Sequence, residues 1–315
     1  LGPQPVIVVD ADVRAARGVP LQAVVIGCDR AGALPMADPA DFDVLLTTAT
    51  DAPLPWVTID ARRFDAHVND LVAAVCDWPI AATLLCQMLR LAEMLPFDDA
   101  LMVESLAYST LLGGSEFARW RAGCPAASAA RGPVDPVCCD RNADHVTLTL
   151  DNRDNQNAMT AAMRDGLYGA LANVLDDPTG PTVSLRARGK CFSLGGSLGE
   201  FGSATDLAAA HVARTLHSCA RAIHALDDRI DVHFHGACVG SGVEVPMAAA
   251  RRTAAANAWF QLPELRMGLI PGAGGTVTLP RAIGRHRTAW MVLSGARVAA
   301  APALRWGLVH AVTAS

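Results

Sequence analysis

From His145 onward the chain alternates between two periodicities, and that alternation limits its fold more than any other feature. His145-Val-Thr-Leu-Thr-Leu150 alternates apolar and polar residues as a strand does. A helical pattern follows from about Thr160 to Leu175, then the strand-like run Thr182-Val-Ser-Leu-Arg186. Residues Thr205 to Leu226 read as helix, and Asp231-Val-His-Phe-His235 reads as a strand running into a turn at Gly236. Strands separated by helices of this length require βαβ crossovers, so an α/β unit is expected. With 315 residues, 51% of them hydrophobic, the chain can bury a large core and is expected to make two units.

The first 60 residues carry short β-rich runs: Val6–Val9, Ala23–Ile26, Val44–Leu46 and Trp56–Ile59. Residues from about Ala66 to Arg121 read as helices, with apolar side chains such as Leu84, Leu85, Met88, Leu89, Leu91 and Met94 at spacings of three and four. The expected organisation is an N-terminal αβ/helical unit over 1–121, a Gly/Pro/Ala-rich linker over 122–136 and a second unit over 137–315. The most apolar stretch, Leu71 to Leu95, is interrupted by Asp77, Pro79, Gln87, Arg90 and Glu93 and reads as a packed helix pair. The start, Leu1-Gly-Pro-Gln-Pro-Val6, lacks a positively charged n-region and reads as no signal peptide.

A net charge of −5 with scattered basic residues argues against a nucleic-acid or membrane-surface partner. The nine cysteines form no Cys-x-x-Cys pair and read as reduced thiols, so a cytoplasmic location is expected.

Chemistry concentrates in three segments. Phe192-Ser-Leu-Gly-Gly-Ser-Leu-Gly-Glu200 follows a strand, and its adjacent glycines let backbone approach a ligand closely. His235-Gly-Ala-Cys-Val-Gly-Ser-Gly-Val-Glu244 leads from a strand to a helix start. Phe260-Gln-Leu-Pro-Glu264 precedes Gly268-Leu-Ile-Pro-Gly-Ala-Gly-Gly-Thr276. The N–H groups of Gly196 and Ser241 can converge on one oxygen and stabilise an enolate-like charge. Glu244 and Glu264 are then candidates for acid/base work beside it.

Each feature has a plainer reading. A glutamate at a helix N-terminus is electrostatically favoured without any chemistry, and one after proline is often only exposed. His233-x-His235 has metal-ligand types but no third ligand motif, so no metal is expected. Gly272-Ala-Gly-Gly275 lacks the Lys-Ser/Thr of a phosphate-binding loop. Trp259 and Trp290 read as core.

The segments together resemble the crotonase (enoyl-CoA hydratase/isomerase) superfamily from about Val137 to Val312. The resemblance is carried by Asn152–Met159, Phe192–Gly196, His235–Glu244, Phe260–Thr276 and Ala303–Val309, with Gln261–Thr276 the most specific. It implies a crotonase-like ββα spiral core, an acyl-CoA thioester substrate and, by family pattern, a homo-oligomer, trimer or hexamer. It also implies that Gly196 and Ser241 form the oxyanion hole, that Glu244 activates water, and that Glu264 exchanges the α-carbon proton. Asn157, Ala158, Ser197, Leu198, Gly199 and Gly272 are the expected substrate-binding positions. The spacing of the glutamates, 20 residues, matches the hydratases of the family. No cofactor is called for beyond the CoA carried by the substrate.

Departures from the family pattern are informative. Gly196-Ser197 stands where Ala-Asp is common, a basic residue near Gly199 is missing, and Ser241 replaces a common glycine. Family members continue past the Gly-Leu-Val segment with helices that cover the acyl pocket, whereas this sequence stops at Ser315. Pro79–Arg90 and Met102–Trp120 resemble those helices. Ala23–Gly32 and Phe42–Thr48 loosely parallel Thr182–Gly195 and Arg252–Phe260. A fused or permuted arrangement follows as the expectation, with the N-terminal helices packed over the core. No counterpart of the two glutamates occurs in residues 1–120, so that unit is expected to carry no chemistry. The expected reaction is reversible hydration of a 2-enoyl-CoA. Isomerisation, decarboxylation or ring chemistry on an acyl-CoA is the alternative, as is a catalytically silent assembly subunit.

Overall fold

The computed structural model describes residues 4–13, 22–124 and 135–314. Four short parallel strands open the chain: β1 (Val6–Asp10), β2 (Val24–Asp29), β3 (Val44–Thr47) and β4 (Val57–Thr58), in that spatial order. Every residue of β2 and β3 is buried; the apolar ones pack the core, and at the strand ends the Thr47 hydroxyl donates to Asp29 at 2.7 Å.

Helices α1 (Phe64–Asp77), α2 (Pro79–Ala92), α3 (Phe97–Leu112) and α4 (Ser115–Ala122) follow. In α1 the buried side chains Phe64, Val68, Leu71 and Val75 form one stripe. Pro79 sits in the first turn of α2, where its missing N–H costs little. Two orphan N–H groups of that turn, Ile80 and Ala81, donate to the buried Glu116 carboxylate of α4 at 2.8 and 2.9 Å. The helices 61–77 and 79–92 meet at 104°. Among the described residues no single helix is long and apolar enough to cross a membrane.

The remainder is the α/β unit anticipated from the alternation. Its elements are β5 (Val137–Asn142), β6 (His145–Leu150), α5 (Ala161–Leu175), β7 (Thr182–Ala187), α6 (Leu207–Leu216), α7 (Cys219–Ala225), β8 (Ile230–Phe234) and β9 (Ala237–Val239). They continue with α8 (Ser241–Glu244), β10 (Arg251–Ala255), β11 (Trp259–Gln261), α9 (Gly275–Ile283), α10 (Arg285–Ser294), β12 (Val298–Ala299), α11 (Ala300–Trp306) and β13 (Ala311–Thr313). A six-stranded sheet has the order β13-β10-β8-β7-β6-β5, and a three-stranded sheet the order β12-β11-β9. Chain that leaves β8 in the large sheet enters β9 in the small one through Gly236, and β10 to β11 repeats the step. This ββα repetition winds the core.

One sequence expectation changes in detail. The helix over 205–226 is two helices, because Ser218 breaks it and caps α7 by accepting from the Arg221 N–H at 3.2 Å. The segment 137–142 is an edge strand, largely exposed and antiparallel to β6, so its residues lack the apolar alternation that marks a strand. Most of the expected linker over 122–136 lies outside the described residues.

One hydrophobic core runs through both units, from Val24 and Leu85 to Phe234 and Leu308. Polar ties reinforce it. On α10, Arg285 donates to the Phe42 carbonyl at 2.7 Å, and Arg287 donates to the Trp56 and Ala52 carbonyls at 3.0 and 2.9 Å.

Candidate active site

Three backbone segments converge at the junction of the two sheets and α3. The first two are joined by short parallel pairing: Ser193 N–H donates to the Ala237 carbonyl at 3.2 Å, and Val239 N–H to the Ser193 carbonyl at 3.0 Å. This sets Gly195 beside Gly240. A Cβ on Gly195 would stand 2.7 Å from the Val239 carbonyl oxygen, and its φ of +86° also demands glycine. Met159 N–H donates to the Gly195 carbonyl at 2.7 Å, and Ser197 N–H to the Met159 carbonyl at 3.3 Å. Gly196, between them, keeps an N–H with no acceptor among the described residues. Ser241 opens α8, so its N–H also lacks an intrahelical acceptor. Both residues line one cavity of about 370 Å³. Two N–H groups without acceptors among the described residues thus border one cavity, the kind of donors an oxyanion hole would use.

The third segment is Gly272–Thr276, leading into α9. Its amides divide between two carboxylates. Ala273 and Gly275 donate to Glu244 Oε2 at 2.7 and 3.1 Å. Gly274 donates to Glu104 Oε1 at 2.7 Å, and Thr276 donates to Glu104 Oε2 through its N–H at 2.8 Å and its hydroxyl at 2.7 Å. The loop is thus clamped from both sides, and the clamp aims Glu244. Gly275 must lack a Cβ, since one would lie 2.8 Å from the Glu244 side chain.

Glu264 begins a short 3-10 turn after Pro263 and packs its Oε1 against Gly240, where a Cβ would approach it to 2.6 Å. Its Oε2 is buried and without a hydrogen-bond partner, as is the Ser241 hydroxyl. A carboxylate oxygen left unsatisfied in a cavity wall is costly unless it carries a proton or meets a ligand.

Glu104, Glu244 and Glu264 are all buried and all line the cavity. Burial raises the pKa of Glu244, the charges of Glu264 and Glu104 raise it further, and the Ala273 and Gly275 N–H groups oppose the rise. Burial raises that of Glu264 as well, against its own backbone N–H and with a further push from Glu104. Glu104 is raised by burial and lowered by the Thr276 and Gly274 donors and by Arg214. The group titrates as a unit. Their hydrogen bonds differ: Glu244 Oε2 accepts two N–H groups, whereas Glu264 Oε2 has no partner among the described residues. Carboxyls raised by burial are groups that can exchange protons near neutral pH.

The expected site residues divide between cavity wall and scaffold. Glu244, Glu264, Gly196, Ser241, Ser197 and Gly272 line the cavity. Asn157, expected at the substrate, is instead a fully buried strut. Its Oδ1 accepts from the Asn152 N–H at 2.7 Å and its Nδ2 donates to the Arg188 and Cys191 carbonyls at 2.8 and 3.2 Å, which leaves no free polar edge. Ala158 is also buried away from the cavity, and the wall there is Met159. Leu198 and Gly199 lie outside the cavity, with Leu198 exposed. His233 pairs with Thr253 Oγ1 at 3.0 Å and His235 with the Gly189 carbonyl at 3.2 Å.

The N-terminal helices, expected to pack over the core but to carry no chemistry, place polar side chains in the cavity wall. Helix α3 supplies Leu101, Glu104, Ser105, Tyr108 and Leu112 to the cavity. Tyr108 packs so closely on Gly272 that a Cβ there would overlap its ring. The signal was present in the helical run Met102-Val-Glu-Ser-Leu-Ala-Tyr108, but its target, an amide loop some 170 residues away, has no trace in local pattern.

The model of the enoyl-CoA hydratase/isomerase family matches residues 140–315. The chain belongs to that family. This crotonase-superfamily chain is 33% identical over 175 residues to the carnitinyl-CoA dehydratases of Salmonella typhi and Salmonella enteritidis, an overlap of 55% of this chain. It spans 66% of the length of those relatives. Its fold is similar to the enoyl-CoA hydratase of Thermoplasma volcanium (TM-score 0.51, 27% identity, 57% of this chain and 72% of that one). It is likewise similar to the Mycobacterium smegmatis enoyl-CoA hydratase (TM-score 0.52, 28% identity, 58% and 70%).

Proposed function

We propose that this crotonase-family enzyme adds water reversibly to the double bond of a 2-enoyl-CoA. The observation that carries the reading is the pair of differently hydrogen-bonded carboxylates, Glu244 and Glu264, in one wall with the free N–H groups of Gly196 and Ser241. The thioester oxygen sits on those two N–H groups. Glu244, ionised, takes a proton from water as the water oxygen bonds to the β-carbon. The electron pair of the double bond moves to the thioester oxygen as an enolate. Glu264, protonated, then delivers its proton to the α-carbon, and the carbonyl re-forms. The product is a 3-hydroxyacyl-CoA, and microscopic reversibility makes the same residues a dehydratase. The name of the Salmonella relatives supports that reverse direction.

Cysteines buried as small apolar side chains, among them Cys28, Cys191, Cys219 and Cys238, support a reducing, cytoplasmic setting. Exposed Leu198, Val212 and Leu216 support assembly of copies into a homo-oligomer.

The test is turnover of a panel of 2-enoyl-CoA thioesters in H2-18O, read by mass spectrometry. The reading requires 18O on the β-carbon of a 3-hydroxyacyl product. Double-bond migration or loss of CO2 without 18O uptake would replace it with an isomerase or decarboxylase. No binding of any thioester would leave a silent subunit.

A further inference from the structure

We propose that the acyl group of the substrate carries a carboxylate at its far end, bound by Arg214 and Tyr108. This inference rests on the acyl-CoA reading above and narrows its substrate class.

Arg214 of α6 is half-buried in the cavity wall. One edge of its guanidinium is fixed: Nη1 donates to the Ser105 carbonyl at 3.2 Å, to Ser105 Oγ at 2.7 Å and to Ser109 Oγ at 3.2 Å. Both serines are buried on α3. The guanidinium carbon lies 4.7 Å from the centre of the Tyr108 ring, a cation–π contact that sets the plane. Nε and Nη2 have no acceptor among the described residues, and no carboxylate forms an ion pair with this arginine. The Tyr108 hydroxyl, also in the cavity wall, has no hydrogen-bond partner there either. The cation and the phenol, both with open donors, form one donor-rich patch in a wall that also holds Glu104, Glu244, Glu264, Arg164 and Glu200.

A half-buried guanidinium with no paired anion is unfavourable by itself, and a planar, two-oxygen anion is the ligand that its free edge fits. The patch adjoins the loop and the three glutamates, where the reading above puts the acyl group. Tyr108 rests on Gly272 of the catalytic loop, and its phenol feels Glu104, Glu244 and Glu264 as well as Arg214. Glu104 is the carboxylate that acts on Arg214, and both its oxygens are engaged by Gly274 and Thr276. The plainer role, a tie from α6 to α3, accounts for Nη1 and leaves the other edge unexplained.

The experiment compares kcat/KM for two pairs matched in carbon number, pent-2-enedioyl-CoA against pent-2-enoyl-CoA and hex-2-enedioyl-CoA against hex-2-enoyl-CoA. The wild-type chain should prefer a dioyl thioester by about tenfold or more. That preference should fall about 30-fold or more in Arg214→Met and about fivefold in Tyr108→Phe, which removes only the hydroxyl. A wild-type preference for the monoacyl partners, or a ratio unmoved by both variants, overturns the inference. Pantetheine thioesters of the same acyl groups separate the sources of negative charge. An Arg214→Met effect that vanishes without the CoA phosphates means that the arginine reads those phosphates, and the inference fails. Failure of every thioester to bind in calorimetry would instead sink the acyl-CoA reading beneath it.

Discussion

The first 124 residues contain two regions with opposite relations to the site. The described residues of the four-stranded sheet unit contribute nothing to the cavity, and the unit is fastened by arginines of α10 that reach its loop carbonyls. The helices α1–α4 follow that sheet, and one of them, α3, enters the cavity wall with a carboxylate, a hydroxyl, a phenol and two apolar side chains. The arginine ties use backbone carbonyls, which any sequence supplies. The α3 contacts use Glu104 and Tyr108, which only a particular sequence supplies. A region that merely supports the core and a region that completes the site therefore differ in how much of their side-chain chemistry is committed.

Substitutions can break or sharpen this contrast. The largest effect is expected inside the core: Glu244→Gln or Glu264→Gln should each lower kcat for enoyl-CoA hydration by about 10²–10⁴, the range for loss of a proton-transfer group. Next comes α3. Glu104→Gln places an amide NH2 against loop N–H donors, so Glu244 loses its fixed aim, and kcat should fall about 10- to 100-fold with KM changed much less. The same variant removes a negative charge that helps raise Glu244 and Glu264, so the acid limb of the kcat/KM profile should move to lower pH. Arg214 and Tyr108, which also face that carboxylate, keep their charges in the working range and leave the direction unchanged.

The first sheet should behave otherwise. Arg287→Met strands the Trp56 and Ala52 carbonyls and should cost about 2–4 kcal/mol in chemical denaturation, with kcat within about twofold of wild type. A loss of activity matching that of Glu104→Gln would erase the distinction.

The smallest effect is a gain. Glu264 has a folded-state pKa above its unfolded value, so its contribution is present at low pH and is lost as pH rises through the raised value. Glu264→Gln removes that loss, and its Tm relative to wild type should rise from pH 5 to pH 8. A constant Tm difference would mean that the carboxyl is not held protonated.

Much of this was legible in the sequence where local pattern and local purpose coincide. The alternation from His145 gave the sheet, and the Gly-Gly and Gly-Ser-Gly turns marked both open N–H groups, because a missing Cβ at a strand end has few other uses. Glu244 and Glu264 stood out through their glycine-rich neighbours. Asn157 was misplaced because a polar residue in a substrate-side motif serves equally well as a strut, and only its three hydrogen bonds distinguish the two. Glu104 and Arg214 were invisible for a different reason. Each sits in an ordinary amphipathic helix, and its partner is distant in sequence: Gly274 and Thr276 for one, Ser105 for the other.

The central claim is that α3 of the N-terminal unit completes the catalytic wall of the core. Its most direct measurement is the single-turnover rate of hydration of a saturating 2-enoyl-CoA by Glu104→Gln, with far-UV and near-UV circular dichroism confirming the fold. The account predicts a rate about 10- to 100-fold below wild type, with thioester affinity nearly preserved. A wild-type single-turnover rate in that variant would show that the core's two glutamates work without the helix, and would contradict it.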